Sequence, residues 1–169
     1  MSSDIANVKL GVCSVSFNST DLGHTKGGVT VSYEPTYHDV TVDAYGETVV
    51  DKRLLGEKLI ATVPLAEATL ANLQIAIPEG TTSGSKLTIG SSVGDSLLDE
   101  AQQLVLHPVE NASDNLDDDV VFYKAVVSNS IELPYANDGE RVIEVEFTAL
   151  LDESQSDGGY LGFVGDSTS

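Results

Sequence analysis

The chain has 169 residues and carries 27 Asp and Glu against 8 Lys and Arg, a formal net charge of −19. This length fits one domain with a core of its own, and the acidic excess opposes tight binding to nucleic-acid phosphate or an anionic membrane surface. The single cysteine, Cys13, excludes an intrachain disulfide and any Cys-x-x-Cys metal or redox site.

Met1 to Asn7 lacks the positive start and apolar run of a signal peptide, and no apolar stretch approaches the roughly 18 residues of a membrane span. The chain is therefore expected to be cytosolic when made. Val8 to Phe17 reads as the first strand. From Gly28 to Glu34, Val29, Val31 and Tyr33 alternate with Thr30, Ser32 and Glu34; after Pro35, His38, Val40 and Val42 alternate with Asp39, Thr41 and Asp43. The two halves predict a hairpin with one polar face.

Ala44 to Gly56 reads as a long loop in which Tyr45, Val49, Val50, Leu54 and Leu55 stand beside Glu47, Asp51, Lys52 and Arg53. Loops of this length serve a function or are disordered, and so many large apolar groups are costly in water. A docking segment for a neighbouring subunit is expected, with folding back over its own sheet as the alternative.

Glu57 to Leu65 reads as a strand. In Glu67 to Ile77, Leu70, Leu73 and Ile77 recur at helical spacing before Pro78 and Gly80, which predicts one amphipathic helix over a sheet face. Asp95 to Leu104 is a candidate second short helix. Further strands are expected at Lys86 to Ile89, Leu104 to His107 and Val120 to Val127. Arg141 to Ala149 places Ile143, Val145, Phe147 and Ala149 on one face, with Glu144, Glu146 and Thr148 on the other. About eight strands with one helix predict a mainly β domain, a sandwich or partly closed barrel, over residues 1–152. A Gly/Ser/Asp-rich tail follows over 153–169 and includes the flexible-looking run Gly158 to Gly162.

The sequence offers little for catalysis. His24, His38 and His107 share no metal-ligand spacing and stand near no nucleophile elbow. Cys13 sits in a strand, where a lone thiol behaves as a small hydrophobe. Asp114, Asp117, Asp118 and Asp119 lack the spacing and closing Glu of a calcium loop. Glu144 and Glu146, without tryptophan nearby, do not read as a glycosidase pair. Asn111-Ala112-Ser113 matches a glycosylation sequon, a chance match without secretion. The expectation is a protein with no catalytic residues, no metal and no cofactor.

Leu22-Gly23-His24-Thr25-Lys26-Gly27-Gly28-Val29, then Tyr45-Gly46-Glu47-Thr48-Val49-Val50-Asp51, Gly56-Glu57-Lys58 and Val63-Pro64-Leu65-Ala66-Glu67-Ala68-Thr69-Leu70-Ala71-Asn72-Leu73 follow one another in a distinctive order. Leu104 to Pro108, Tyr123-Lys124-Ala125-Val126 and Glu144 to Leu150 with Asp152 complete it. Over Leu22 to Asp152 the chain resembles the tail tube proteins of long-tailed bacteriophages, of the non-contractile kind; Ala44 departs from the polar residue expected there.

The resemblance implies a β-sandwich or barrel with a flanking helix that closes into hexameric rings and stacks them into a hollow tube for DNA delivery. It implies a virion-tail location after assembly in the host cytoplasm. Its partners would be copies of itself and the tape-measure, tail-tip and tail-terminator proteins, with transiting DNA not tightly held and no membrane partner. Tyr45, Val49, Val50, Lys52, Arg53, Leu54 and Leu55 become the inter-subunit loop. Thr30, Ser32, Glu34, Asp39, Thr41, Asp43, Glu144 and Glu146 become candidates for an acidic lumen wall that repels phosphate at short range. A tube protein of a contractile tail or secretion-type injection system shares the ring. A carbohydrate-binding or adhesion β-sandwich is a further alternative and requires an exposed aromatic platform.

Overall fold

The computed structural model describes residues 9–156 and 158–167. It is a mainly β, sandwich-type fold with one α-helix. The elements are β1 (Cys13–Phe17), β2 (Thr20–Asp21), β3 (Thr30–Thr41), β4 (Val49–Leu65), α1 (Leu70–Ala76), β5 (Thr81–Ser83), β6 (Lys86–Thr88), β7 (Gln102–Pro108), β8 (Val120–Val127), β9 (Ile143–Ala149) and β10 (Gly162–Val164). The antiparallel main sheet runs β2-β1-β7-β8-β9-β4-β3, with β10 also on β8. It does not close into a barrel, because β2 and β3 end it without pairing each other.

Alternation builds the core. In β9 the residues Ile143, Val145, Phe147 and Ala149 are buried while Glu144 is exposed, as the period of two requires. Ala61, Val63 and Leu65 of β4, Val15 and Phe17 of β1, Leu104 and Leu106 of β7, and Phe122 and Ala125 of β8 join them. Phe17 and Phe147 meet with ring centroids 5.3 Å apart.

Several expected elements change. The first strand starts at Cys13, and Met1 to Val8 lie outside the described residues. No turn forms at Pro35: β3 is one continuous strand, and its hairpin partner is β4. The apolar positions change from odd to even numbers across Pro35, which mimics a turn in the sequence; in the fold it is one strand with apolar groups on alternate faces. Proline is tolerated because β3 is the sheet edge. Asp95 to Ala101 forms turns, with no helix.

The expected tail is also corrected. Gly162–Val164 pairs with Val120–Phe122 of β8, on the edge that β9 leaves free after pairing Ala125–Val127. A Cβ on Gly162 would lie 2.2 Å from the Val121 carbonyl oxygen, so only glycine permits this approach. The turn into β10 is organised by Asp152, whose buried carboxylate accepts hydrogen bonds from Gln155 Nε2 (2.8 Å) and Ser154 Oγ (2.8 Å) and lies 3.0 Å from Lys124 Nζ.

Helix α1 begins at Thr69, whose Oγ1 accepts from the Asn72 amide at 3.2 Å. Its buried face centres on Asn72 and Ala76, while Leu73, Ile75 and Ile77 are partly buried against the core. Leu73 and Ile77 of the expected stripe thus face the core, and the buried polar Asn72 joins them. The Asn72 amide donates to the carbonyls of Leu22 (2.9 Å) and Glu67 (2.8 Å), stitching the helix to the segment entering β3. In that segment His24 N–H donates to Glu67 Oε1 (2.9 Å), Ala66 N–H to the His24 carbonyl (2.8 Å) and Lys26 N–H to the Pro64 carbonyl (3.0 Å). Gly23 sits at φ +80°, where a side chain is strained, and a Cβ there would displace the Glu67 carboxylate 2.5 Å away.

Two predictions follow from these contacts. Asn72→Leu strips two carbonyls of their donor, and urea unfolding at pH 7 should register a loss of about 1 to 3 kcal/mol; an unchanged midpoint would remove Asn72 from the framework. The Gln155, Lys124 and Ser154 contacts hold the Asp152 carboxyl well below the ordinary range. Its stabilising contribution is therefore full above the unfolded-chain value of about 4 and is lost as pH falls through the lower folded value. Asp152→Asn should flatten the acid limb of the stability profile, measured as thermal midpoint against pH.

Candidate assembly surface

Strand β4 is far longer than β9, the strand beside it. Only Ile60–Leu65 pairs with Thr148 to Ile143 of β9, whereas Val49 to Thr62 pairs with β3 along its whole length. From Leu59 outward the β3–β4 ribbon leaves the sheet as a two-stranded arm. The arm ends in a tight crossing at residues 42–48 that includes a 3-10 turn, Asp43–Tyr45. This corrects the expected loop: Val49 to Gly56 is strand, and only the short crossing is irregular.

Every β4 residue from Val49 to Lys58 is exposed. In register, Tyr33 faces Leu59, Pro35 faces Glu57, Tyr37 faces Leu54, Asp39 faces Lys52 and Thr41 faces Val49; Leu55 and Val50 are the extra residues of two bulges. By the alternation of β4, this is the face on which Ala61, Val63 and Leu65 form the core. The core face thus continues past the sheet with nothing over it. Tyr33 is 56% exposed, Leu54 50%, and Tyr45 and Leu55 68% each. At its base this face meets β10 across a groove of about 570 Å³ lined by Val31, Tyr33, Leu59, Leu161 and Phe163. The Tyr33 hydroxyl donates to Glu57 at 2.6 Å, a bond that pushes the phenol up to about 12.

Two of the arm's three cations are used internally. Lys52 pairs with Asp39 at 2.6 Å and Arg53 with Asp51 at 3.4 Å, so these two expected contact residues stabilise the ribbon itself. All seven expected inter-subunit residues lie on the arm or its tip: Tyr45 in the turn, Val49, Lys52, Arg53 and Leu54 in the ladder, and Val50 and Leu55 in the bulges. Tyr33 and Tyr37 belong to the same surface and were missed, because the sequence suggested a turn at Pro35 between them.

The eight lumen candidates divide. Thr30 faces Thr62, which faces Glu146, and Ser32 faces Ile60, which faces Thr148. With Glu34 and Glu144 these form one polar outer face across β3, β4 and β9. Asp39 and Thr41 lie on the opposite, apolar face, and Asp43 is in the terminal turn. They do not share a wall with the other five.

The histidines and acidic loop are dispersed. His107 Nδ1 lies 2.6 Å from the buried Asp119 Oδ1, Asp118 pairs with Lys9 and accepts from Asn111 Nδ2 at 3.1 Å, and His38 faces Arg53 on the arm. Among the described residues no group of three His, Cys, Asp or Glu is placed to hold a metal ion, and no helix is long and apolar enough to cross a membrane. No protein-family model matches the chain, and no curated protein matches its sequence.

A two-stranded ribbon without a third strand is marginally stable in water. In the dilute, unassembled chain, amides of Glu34 to Thr41 and Val49 to Gly56 should exchange with deuterium orders of magnitude faster than those of Ala61 to Leu65. Equal protection of both halves of β4 would mean that the arm is already covered.

Proposed function

We propose that the chain is a structural subunit that assembles with copies of itself through the β3–β4 arm, as a tail tube protein forming stacked hexameric rings that conduct viral DNA. One observation carries the reading: an apolar face continuous with the core runs out along a ribbon that its own fold leaves uncovered. Monomeric proteins rarely keep such a contiguous patch in water, and two unpaired strand edges flank it. A second copy offers the same chemistry. A patch on the arm meeting a different patch on a neighbour is a heterologous contact, which closes into a ring when the rotation permits.

The resemblance to tail tube proteins adds support on structural grounds. Its two most distinctive segments, Leu22 to Val29 and Val63 to Leu73, interlock through Asn72, Glu67 and the Pro64 carbonyl, so they form one framework at the root of the arm. The polar face of Thr30, Ser32, Glu34, Glu144 and Glu146 suits a wall that does not hold phosphate, since carboxylates neutralise no phosphate and so gain nothing from release of the DNA's counterions. On this reading the protein needs no cofactor and performs no chemical step; the tape-measure, tail-tip and terminator proteins would be its further partners in the virion tail.

The test replaces Tyr37, Leu54 and Leu55 together by Ser, removing apolar area while keeping both strands. The triple variant should stay folded, with a thermal midpoint within a few degrees of wild type, and remain monomeric by sedimentation velocity. The wild type, concentrated or seeded with tail-tip partners, should give rings or tubes in negative stain. Tubes from the triple variant would remove the arm from assembly.

A further inference from the structure

We propose that self-association through the arm is gated by ionic strength: apolar contact holds the copies together against electrostatic repulsion, so salt strengthens assembly. This inference rests on the self-assembly reading above. Each copy brings a net charge of −19. Lys9, Lys26, Lys52, Arg53 and Lys124 are spent on ion pairs within the chain, and Arg141 lies over Tyr135, its guanidinium 4.3 Å from the ring centroid and donating to the hydroxyl at 2.9 Å. Among the described residues only Lys58 and Lys86 lack such a partner, and Lys58 stands opposite Glu34 in the ladder.

The arm itself repeats this imbalance. Between Thr30 and Lys58 it carries Glu34, Asp39, Asp43, Glu47, Asp51 and Glu57, all exposed, against Lys52, Arg53 and Lys58. With Lys52 and Arg53 held by Asp39 and Asp51, the arm offers a neighbour apolar side chains and uncompensated carboxylates. An interface built on intermolecular ion pairs weakens as salt screens them; this one has the opposite sign. The screening length falls from about 30 Å at 0.01 M to about 10 Å at 0.1 M and about 3 Å at 1 M. Repulsion between whole subunits is thus felt in dilute salt and removed in concentrated salt.

Sedimentation velocity of the wild type across NaCl from about 0.01 to 1 M tests this, alongside Asp43→Asn/Glu47→Gln, which removes two charges at the arm tip and breaks no ion pair. The dissociation constant for self-association should tighten roughly tenfold or more between 0.1 and 1 M, and the double variant should reach half-assembly at lower salt. Sodium sulfate should match NaCl at equal ionic strength. Association that weakens with salt, an unmoved midpoint in the double variant, or a response set by sulfate rather than by ionic strength would each overturn the gating and leave self-assembly standing. No association of either protein at any salt concentration, even when seeded with tail-tip partners, would overturn self-assembly and the gating with it.

Discussion

The length of β4 is the constraint from which the rest of the molecule follows. Seventeen residues of strand reach about 55 Å at roughly 3.3 Å per residue, and β9 can pair with only the last six. Over Ile60 to Thr62 β4 has a strand on each side, β3 and β9, and its apolar face is sealed through Leu65. Beyond Ile60 it has β3 on one side and nothing on the other. Without a third strand or a covering layer, hydrogen bonds to β3 alone must hold the eleven residues Val49 to Leu59 in extended form, with large side chains in water on the face that nearer the body is core. The two bulges at Leu55 and Val50 add local twist, and the Asp39–Lys52 and Asp51–Arg53 pairs add small exposed contributions of at most about 1 kcal/mol each. Neither replaces a missing layer.

What the sequence disclosed depends on how much of each strand the body buries. Strand β9 was legible because burial on one face forces alternation, and β8, buried on both faces, was legible from its Val and aromatic content, with Val120–Val127 predicted at the bounds it has. The outer half of β4 was not legible. Its Asp51-Lys52-Arg53 run follows no core period, since no core selects it, and so it reads as loop. Helix α1 was placed correctly in the chain, and Leu73 and Ile77 of its predicted stripe pack against the core; what hydropathy missed is the buried Asn72, a polar residue whose burial is stabilised by the Leu22 and Glu67 carbonyls. Strand β10 hid in a glycine-rich run because Gly162 is there for close approach to Val121 rather than for freedom of the chain. In each case the missing information was a tertiary partner.

The same distinction applies to the assembly surface. Tyr45, Val49, Val50, Leu54 and Leu55 stood out in the sequence as apolar groups in a charged setting, and that anomaly was a sound signal of an uncovered surface. Lys52 and Arg53 were grouped with them by proximity alone. In the fold they neutralise carboxylates on their own ribbon and so support the exposed surface they were grouped with. Tyr33 and Tyr37 enter that surface only when β3 is seen as one strand, because Tyr37 then stands opposite Leu54 and Tyr33 beside Leu59 on a single face.

A ribbon has two faces, so assigning one constrains the other. If the face of Tyr33, Tyr37, Leu54 and Val49 is covered by a neighbour, the face of Thr30, Ser32 and Glu34 must look away from that contact, and it is continuous with Glu144 and Glu146 through the ladder of β4 and β9. Asp39 and Thr41 then fall within the covered face. An unpaired carboxylate there would oppose burial, yet Asp39 already has Lys52 at 2.6 Å, so the pair can approach a neighbour carrying little net charge. Among the described residues Asp43 and Glu47, at the turn, form no ion pair, and on this reading they are the residues that resist close approach. On the proposed reading, contact, polar wall and repulsive tip all follow from a single register between β3 and β4, and a one-residue slip of that register would exchange the two faces and undo all three.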